Sequence, residues 1–344
     1  MKTAVVVCPG RGVYNKTELG YLARHHAGRA ALFAGFDEER RRLGQETLAD
    51  LDGAKTYSVA RHTRGDNASA LIFSATLADF MAIDRGEIQI VAVTGNSMGW
   101  YSALACAGAL SPEAGFKVAN TMGALMQESL IGGQLIYPFV GEDWVPDMAR
   151  KAELLALTAE IGARPGHVLT LSIDLGGMLV LAGDEAGLSA FEAAVPPVQG
   201  RFPMRLSNHA GFHSHLQAPV AEKGRAALPA SLFGQPAVPL VDGRGAVWQP
   251  GATDPAALWD YTLGHQITET YDFTKAIENA AREFAPDIFI VTGPGATLGG
   301  AIAQSLILSG WRGLGSKADF QARQATAPLL ISMGMEEQRV EATG

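Results

Sequence analysis

Hydrophobic positions along this chain fall into short continuous runs separated by longer stretches of helical spacing. The first run, Val5–Cys8, is β-branched and stops at Pro9-Gly10, which predicts a buried strand ending in a turn. Ala68–Asp84 has helical spacing and few breakers. Ile88–Thr94 predicts a strong strand, and its near-continuous apolar character predicts a central position in a sheet. A helix of small residues follows from Ser97 to Leu110. Ser111-Pro112 then reads as an N-cap with proline at the first helical position, opening a helix to about Leu130. Alternation of this kind predicts an α/β fold with a parallel sheet covered by helices on both faces.

The middle of the chain changes pattern. Gln134–Val140 predicts a strand and Trp144–Ile161 a helix. Val168–Asp174 and Met178–Ala182 predict two strands around the Gly176-Gly177 turn, followed by a helix capped by Asp184 and a last strand at Phe202–Ser207. The order β-α-β-β-α-β in one short stretch is the split βαβ pattern of a ferredoxin-like α+β domain. It predicts an insert, residues 134–207, within a large domain made of residues 1–133 and 208–334. In the second half of the large domain, a helix is expected from Phe273 to Phe284, a strand at Asp287–Thr292 and a helix from Leu298 to Leu308. The polar residues 335–344 are expected to form a frayed tail.

Composition narrows the function classes. With 344 residues, 47% of them apolar, the chain can bury a sizeable core. A formal net charge of -8 argues against nucleic acid as the main partner. The opening apolar run is too short for a secretory signal and no run is long enough to cross a bilayer, so a cytoplasmic protein with no membrane partner is expected. Two cysteines, Cys8 and Cys106, form no CxxC pair and read as buried thiols. No metal-binding motif is present.

Gly95-Asn96-Ser97-Met98-Gly99 matches Gly-x-Ser-x-Gly between a predicted strand and a predicted helix, the setting required of a nucleophile elbow. In such a turn the serine hydroxyl projects above the sheet, and flanking glycines remove side chains that would clash. Ser97 would also lie at a helix N-terminus, where the Met98 N–H is placed to stabilise an oxyanion. The bland alternative is a serine that merely caps the helix. A serine hydroxyl needs a base. Of eight histidines, His209, His213 and His215 cluster where the chain re-enters the large domain, so they can line a cleft between domains.

These segments together resemble the malonyl-CoA:acyl-carrier-protein transacylases and the acyltransferase domains of polyketide synthases. Cys8-Pro9-Gly10-Arg11-Gly12 resembles the family's Phe-Pro-Gly-Gln-Gly opening. Gly95–Leu104 resembles its Gly-His-Ser-x-Gly-Glu-Tyr-x-Ala-Leu, and Gly123 with Leu125-Met126-Gln127 its next helix. Ala210-Gly211-Phe212-His213-Ser214 resembles its Ala-Phe-His-Ser, Gln266 its late glutamine, and Gly293-Pro294-Gly295 with Leu298 its closing motif. The resemblance spans about Val5 to Leu308. It implies a hydrolase-like large domain carrying the ferredoxin-like insert. It also implies Ser97 as nucleophile, His213 as base, a backbone carbonyl near Gln266 orienting that base, and ping-pong transfer from acyl-CoA to the phosphopantetheine thiol of an acyl carrier protein. No permanently bound cofactor is implied. The acyl pocket is expected from Met122, Phe212, Gly10 and Asn96.

Three departures bear on substrate choice. Malonyl-specific members carry an arginine where this chain has Met122, and its helical neighbours Val118, Ala119, Leu125 and Met126 are all apolar. Burying a carboxylate there unpaired would cost several kcal/mol. The acyl group is then uncharged, or its charge is met by another element, or Met122 is core in a domain that has lost the activity. Arg11 replaces the opening glutamine; it is open to donating to the oxyanion, binding a substrate carboxylate from the opposite wall, or pairing with an acidic neighbour. Asn96 and Trp100 replace the residues flanking the elbow, Trp100 reading as core. An acyl-thioester hydrolase and a non-catalytic carrier-binding relative remain as alternatives. Arg201 and Arg205 are candidates for a basic rim facing an acidic carrier protein.

Overall fold

The computed structural model describes residues 1–344. A six-stranded sheet forms the centre of the large domain, in the order β11-β10-β1-β2-β7-β8. Its strands are β1 (Lys2–Cys8), β2 (Ile88–Gly95), β7 (Leu240–Val241), β8 (Val247–Trp248), β10 (Ile288–Val291) and β11 (Leu330–Ser332). β1 pairs in parallel with both β2 and β10, and β8 alone runs antiparallel. Ala4 to Cys8 are all fully buried, as a strand in the middle of a doubly covered parallel sheet must be. The helix Gly65–Ala82, almost wholly buried, packs against the helix Pro112–Glu128 on one face.

The second sheet has the order β6-β3-β5-β4-β9. Its first four strands are β3 (Gly133–Pro138), β4 (Leu169–Leu175), β5 (Met178–Gly183) and β6 (Met204–Arg205). With the helices Met148–Gly162 and Glu185–Ala194 they make the antiparallel ferredoxin-like unit. The expected six-residue last strand shrinks to two paired residues. The fifth strand, β9 (Tyr271–Asp272), comes from the large domain and runs parallel to β4. The insert is therefore stitched to its host by main-chain pairing, which the expected boundary at residue 207 does not show.

The chain end also differs from expectation. Residues 335–344 do not fray: Glu336–Thr343 is a helix. Arg339 bonds the fully buried Asp79 at 2.6 Å and donates to Tyr21 Oη at 2.9 Å, while His26 Nε2 meets the same carboxylate at 2.7 Å. A buried charge with this many partners fixes the end of the chain in place. No helix is long and apolar enough to cross a membrane.

Candidate active site

The elbow forms where β2 delivers Gly95 to the helix Gly99–Cys106, two residues shorter at the start than the sequence pattern suggests. Ser97 sits between them at φ 55°, a left-handed conformation that strains a non-glycine residue. The helix starts hard against the end of β1. A Cβ at Gly99 would strike the Cys8 carbonyl, and one at Gly10 would lie 2.6 Å from the Asn96 carbonyl. Glycine at these two places lets the β1 loop close under the serine. The Met98 N–H donates to no group of the protein, and Met98 lines the cleft over Ser97.

His213 is likewise at positive φ, 53°, and is buried. Its Nε2 is 2.7 Å from Ser97 Oγ and its Nδ1 is 2.7 Å from the main-chain oxygen of Gln266. A carbonyl can only accept, so Nδ1 carries the proton. Nε2 then offers its lone pair to the serine hydroxyl. Burial pulls the imidazole pKa from its ordinary 6.5 down to about 4, the Gln266 carbonyl working against that fall. The ring is neutral at neutral pH and able to take a proton.

Gln266 is held at both ends. Its Nε2 donates to the Ser97 carbonyl at 3.1 Å, and Tyr101 Oη donates to its Oε1 at 3.2 Å. This side chain ties the residue whose carbonyl accepts from His213 to the main chain of the serine. Tyr271 closes the other side: its hydroxyl donates to the Gly95 carbonyl at 2.6 Å and its ring lies 5.3 Å from the His213 ring. Neither tyrosine stood out as a site residue in the sequence reading. Tyr101 was visible only as part of a motif, four residues after the serine, and Tyr271 stands alone with no pattern around it.

Two hollows meet at Ser97. The inner one has about 20 Å³ of free space and is walled by Met98, Tyr101, Met126, Phe212 and Ile267. The other, about 100 Å³, opens toward the small domain between Asn96, Phe212, His209 and the aliphatic side chains Ile136, Ile173 and Val180. Phe212 and Arg11 line both. Two expected pocket residues are elsewhere. Met122 is fully buried but lines neither hollow; its thioether fills the notch left by Gly224, where a Cβ would lie 2.8 Å from the sulfur. Met126, one turn on, takes the position in the cleft. Gly10 also lines neither hollow and serves the close approach beneath Asn96.

Arg11 Nη2 donates to the carbonyls of Thr63 (2.8 Å) and Asn208 (3.2 Å), and its guanidinium stacks 5.5 Å above Phe212. Its Nη1 is out of contact with water and has no partner. Burial lowers its pKa to about 10, with Asp66 opposing, so it is cationic at neutral pH. Trp100 is fully buried, donating to Thr262, and Cys8 and Cys106 are buried free thiols. The expected basic rim is partly consumed: Arg205 pairs with Glu185 and Glu192, and Arg201 stacks on Phe202.

No family model matches the chain. Among curated proteins, it is 28% identical over 269 residues to the malonyl CoA-acyl carrier protein transacylase of Salmonella typhimurium, covering 74% of this chain and 82% of that one. The transacylase of Escherichia coli K12 is 26% identical over 267 residues at the same coverage. The chain is thus similar to the malonyl CoA-acyl carrier protein transacylases over most of its length. Both of these relatives are acyltransferases by name. The fold agrees. An acyl-carrier-protein S-malonyltransferase from Burkholderia pseudomallei superposes with a TM-score of 0.75 at 22% identity, covering 100% of this chain and 99% of that one. The acyltransferase domain of the second salinomycin polyketide synthase module gives 0.73 at 20%, covering 100% and 72%.

Proposed function

We propose that the chain transfers an acyl group from coenzyme A to the phosphopantetheine thiol of an acyl carrier protein through an acyl-Ser97 ester. The observation that carries this is the unbroken line from Ser97 Oγ through His213 to the Gln266 carbonyl, 2.7 Å at each step. In the first half-reaction Ser97 Oγ attacks the thioester carbonyl carbon as His213 Nε2 takes its proton. The Met98 N–H faces the oxyanion of the tetrahedral intermediate. Collapse breaks the C–S bond, and the CoA sulfur leaves with the proton from His213. In the second half the carrier thiol gives its proton to His213 and attacks the ester, and Ser97 recovers its hydroxyl: ping-pong kinetics. The relatives' names support the direction of transfer, and a structure of a polyketide acyl carrier protein with its malonyl transacylase is among those that share the fold, at 21% identity.

The helix that carries Met122 presents no cation to an acyl group, so acyl choice differs in its origin from an arginine-bearing member. Intact-protein mass spectrometry with acyl-CoAs, and Ser97→Ala as control, tests the reading. A Ser97-dependent adduct that moves to added holo carrier protein is expected. An adduct released to water in the presence of carrier would replace the transferase by a thioester hydrolase. No Ser97-dependent adduct with any acyl-CoA would overturn both.

A further inference from the structure

Arg11 is the single cation among the residues lining either hollow at Ser97, and no acid lines them. It forms no ion pair; Asp66, whose charge it feels, is bonded to Arg64. Its position is fixed by two carbonyls from different segments, Thr63 ahead of the helix Gly65–Ala82 and Asn208 at the return from the insert. Asn208 Nδ2 in turn holds Thr63 Oγ1 at 2.7 Å. Clamped in this way, the guanidinium has Nη2 committed and Nη1 buried without an acceptor. An unpaired buried donor on a cation is expensive unless an anion completes it.

We propose that Arg11 is the anchor for a carboxylate on the acyl group, reaching it through Nη1 from the wall opposite the Met122 helix. This rests on the acyl-Ser97 reading above. The acyl group is then the half-thioester of a dicarboxylic acid, with its free carboxylate lying across the Phe212 edge. The aliphatic wall from the small domain receives the carbon chain. A cation on the β1 loop thus takes over the charge that the helix cannot meet.

The test is the rate of Ser97 acylation by malonyl-CoA against butyryl-CoA, a neutral acyl group of similar size, followed by quenched mass spectrometry. The parent should favour malonyl at least tenfold. In Arg11→Gln and Arg11→Ala the malonyl-to-butyryl ratio should fall by about 100-fold, the scale of a lost charge-assisted hydrogen bond pair. Arg11→Lys should retain an intermediate ratio. A parent ratio below ten overturns the proposal, and this criterion stands even if no Arg11 variant folds. Equal loss with both donors overturns it too, and would place Arg11 at the oxyanion or in the fold. Both of those results leave acyl transfer intact, whereas the absence of any Ser97 adduct removes the acyl-serine reading itself.

Discussion

Replacing Gln266 with alanine keeps the main-chain oxygen that holds His213 but removes the side chain that holds that oxygen in place. Two hydrogen bonds go: Nε2 to the Ser97 carbonyl and Tyr101 Oη to Oε1. The first is worth about 1 kcal/mol; the second leaves the fully buried Tyr101 hydroxyl with no acceptor, at about 1–3 kcal/mol. The total is about 3 kcal/mol, which for a chain of this length lowers the melting temperature by about 4 °C. The kinetic effect should be larger in proportion. His213 meets Ser97 at 2.7 Å because its other nitrogen is pinned, and a drift of about 1 Å is enough for a 100-fold loss of acylation rate. The informative partner is Tyr101→Phe. Placed on Gln266→Ala it removes the orphan hydroxyl, so the double variant should regain about 1–2 kcal/mol of stability while the acylation rate stays low. Thermal denaturation and single-turnover acylation read the two effects separately. A Gln266→Ala protein melting within 1 °C of the parent, or a double variant less stable than the single, would refute the latch.

Acid should inhibit late. Only neutral His213 can take the serine proton, and burial holds its pKa near 4, so acylation by a fixed acyl-CoA should be flat from pH 8 to about 5 and fall below that. The unfolded chain takes up this proton near 6.5 and the folded chain only near 4. Stability is therefore lost as pH falls through that window, with His209, lowered by burial to about 3, acting in the same sense. An apparent kinetic pKa at or above 6.5 would contradict the assignment. At the chain end, Arg339→Met strips the fully buried Asp79 of its cation and should cost about 3–5 kcal/mol in urea denaturation. Pairing it with Asp79→Asn should recover most of that, and a single-variant loss under 1 kcal/mol would show the tail helix to be dispensable.

What was legible in the sequence had local causes. The helix from Phe273 to Phe284 falls at its expected bounds because Asp272 caps it, accepting from the Lys275 N–H, and the amphipathic spacing runs unbroken to the end. Ser111 caps the next helix after the elbow in the same way. The Gly-x-Ser-x-Gly turn is local too: its glycines are demanded by atoms a few residues away and by the adjoining strand. The rest depended on distant partners. β9 is two residues long and exists because β4 offers an open edge. The closing helix is polar by composition, and what fixes it is Asp79, 260 residues earlier. Met122 and Met126 share a helix face, and spacing alone does not say which one turns toward Gly224 and which toward the serine. Arg11 stands out in sequence only as an exchanged residue. Its unpaired nitrogen is a property of Thr63 and Asn208 arriving beside it.

The left-handed backbone at Ser97 has a consequence for how such a chain can change over generations. A side chain at φ 55° is held there against its own preference, at about 1 kcal/mol, whereas glycine adopts that conformation freely. Loss of the nucleophile by Ser97→Gly therefore relaxes the turn. Against that relief stands the hydrogen bond to buried His213, which glycine gives up. Relatives of this chain that have lost the serine should then turn up with glycine there, the residue that meets this backbone without strain.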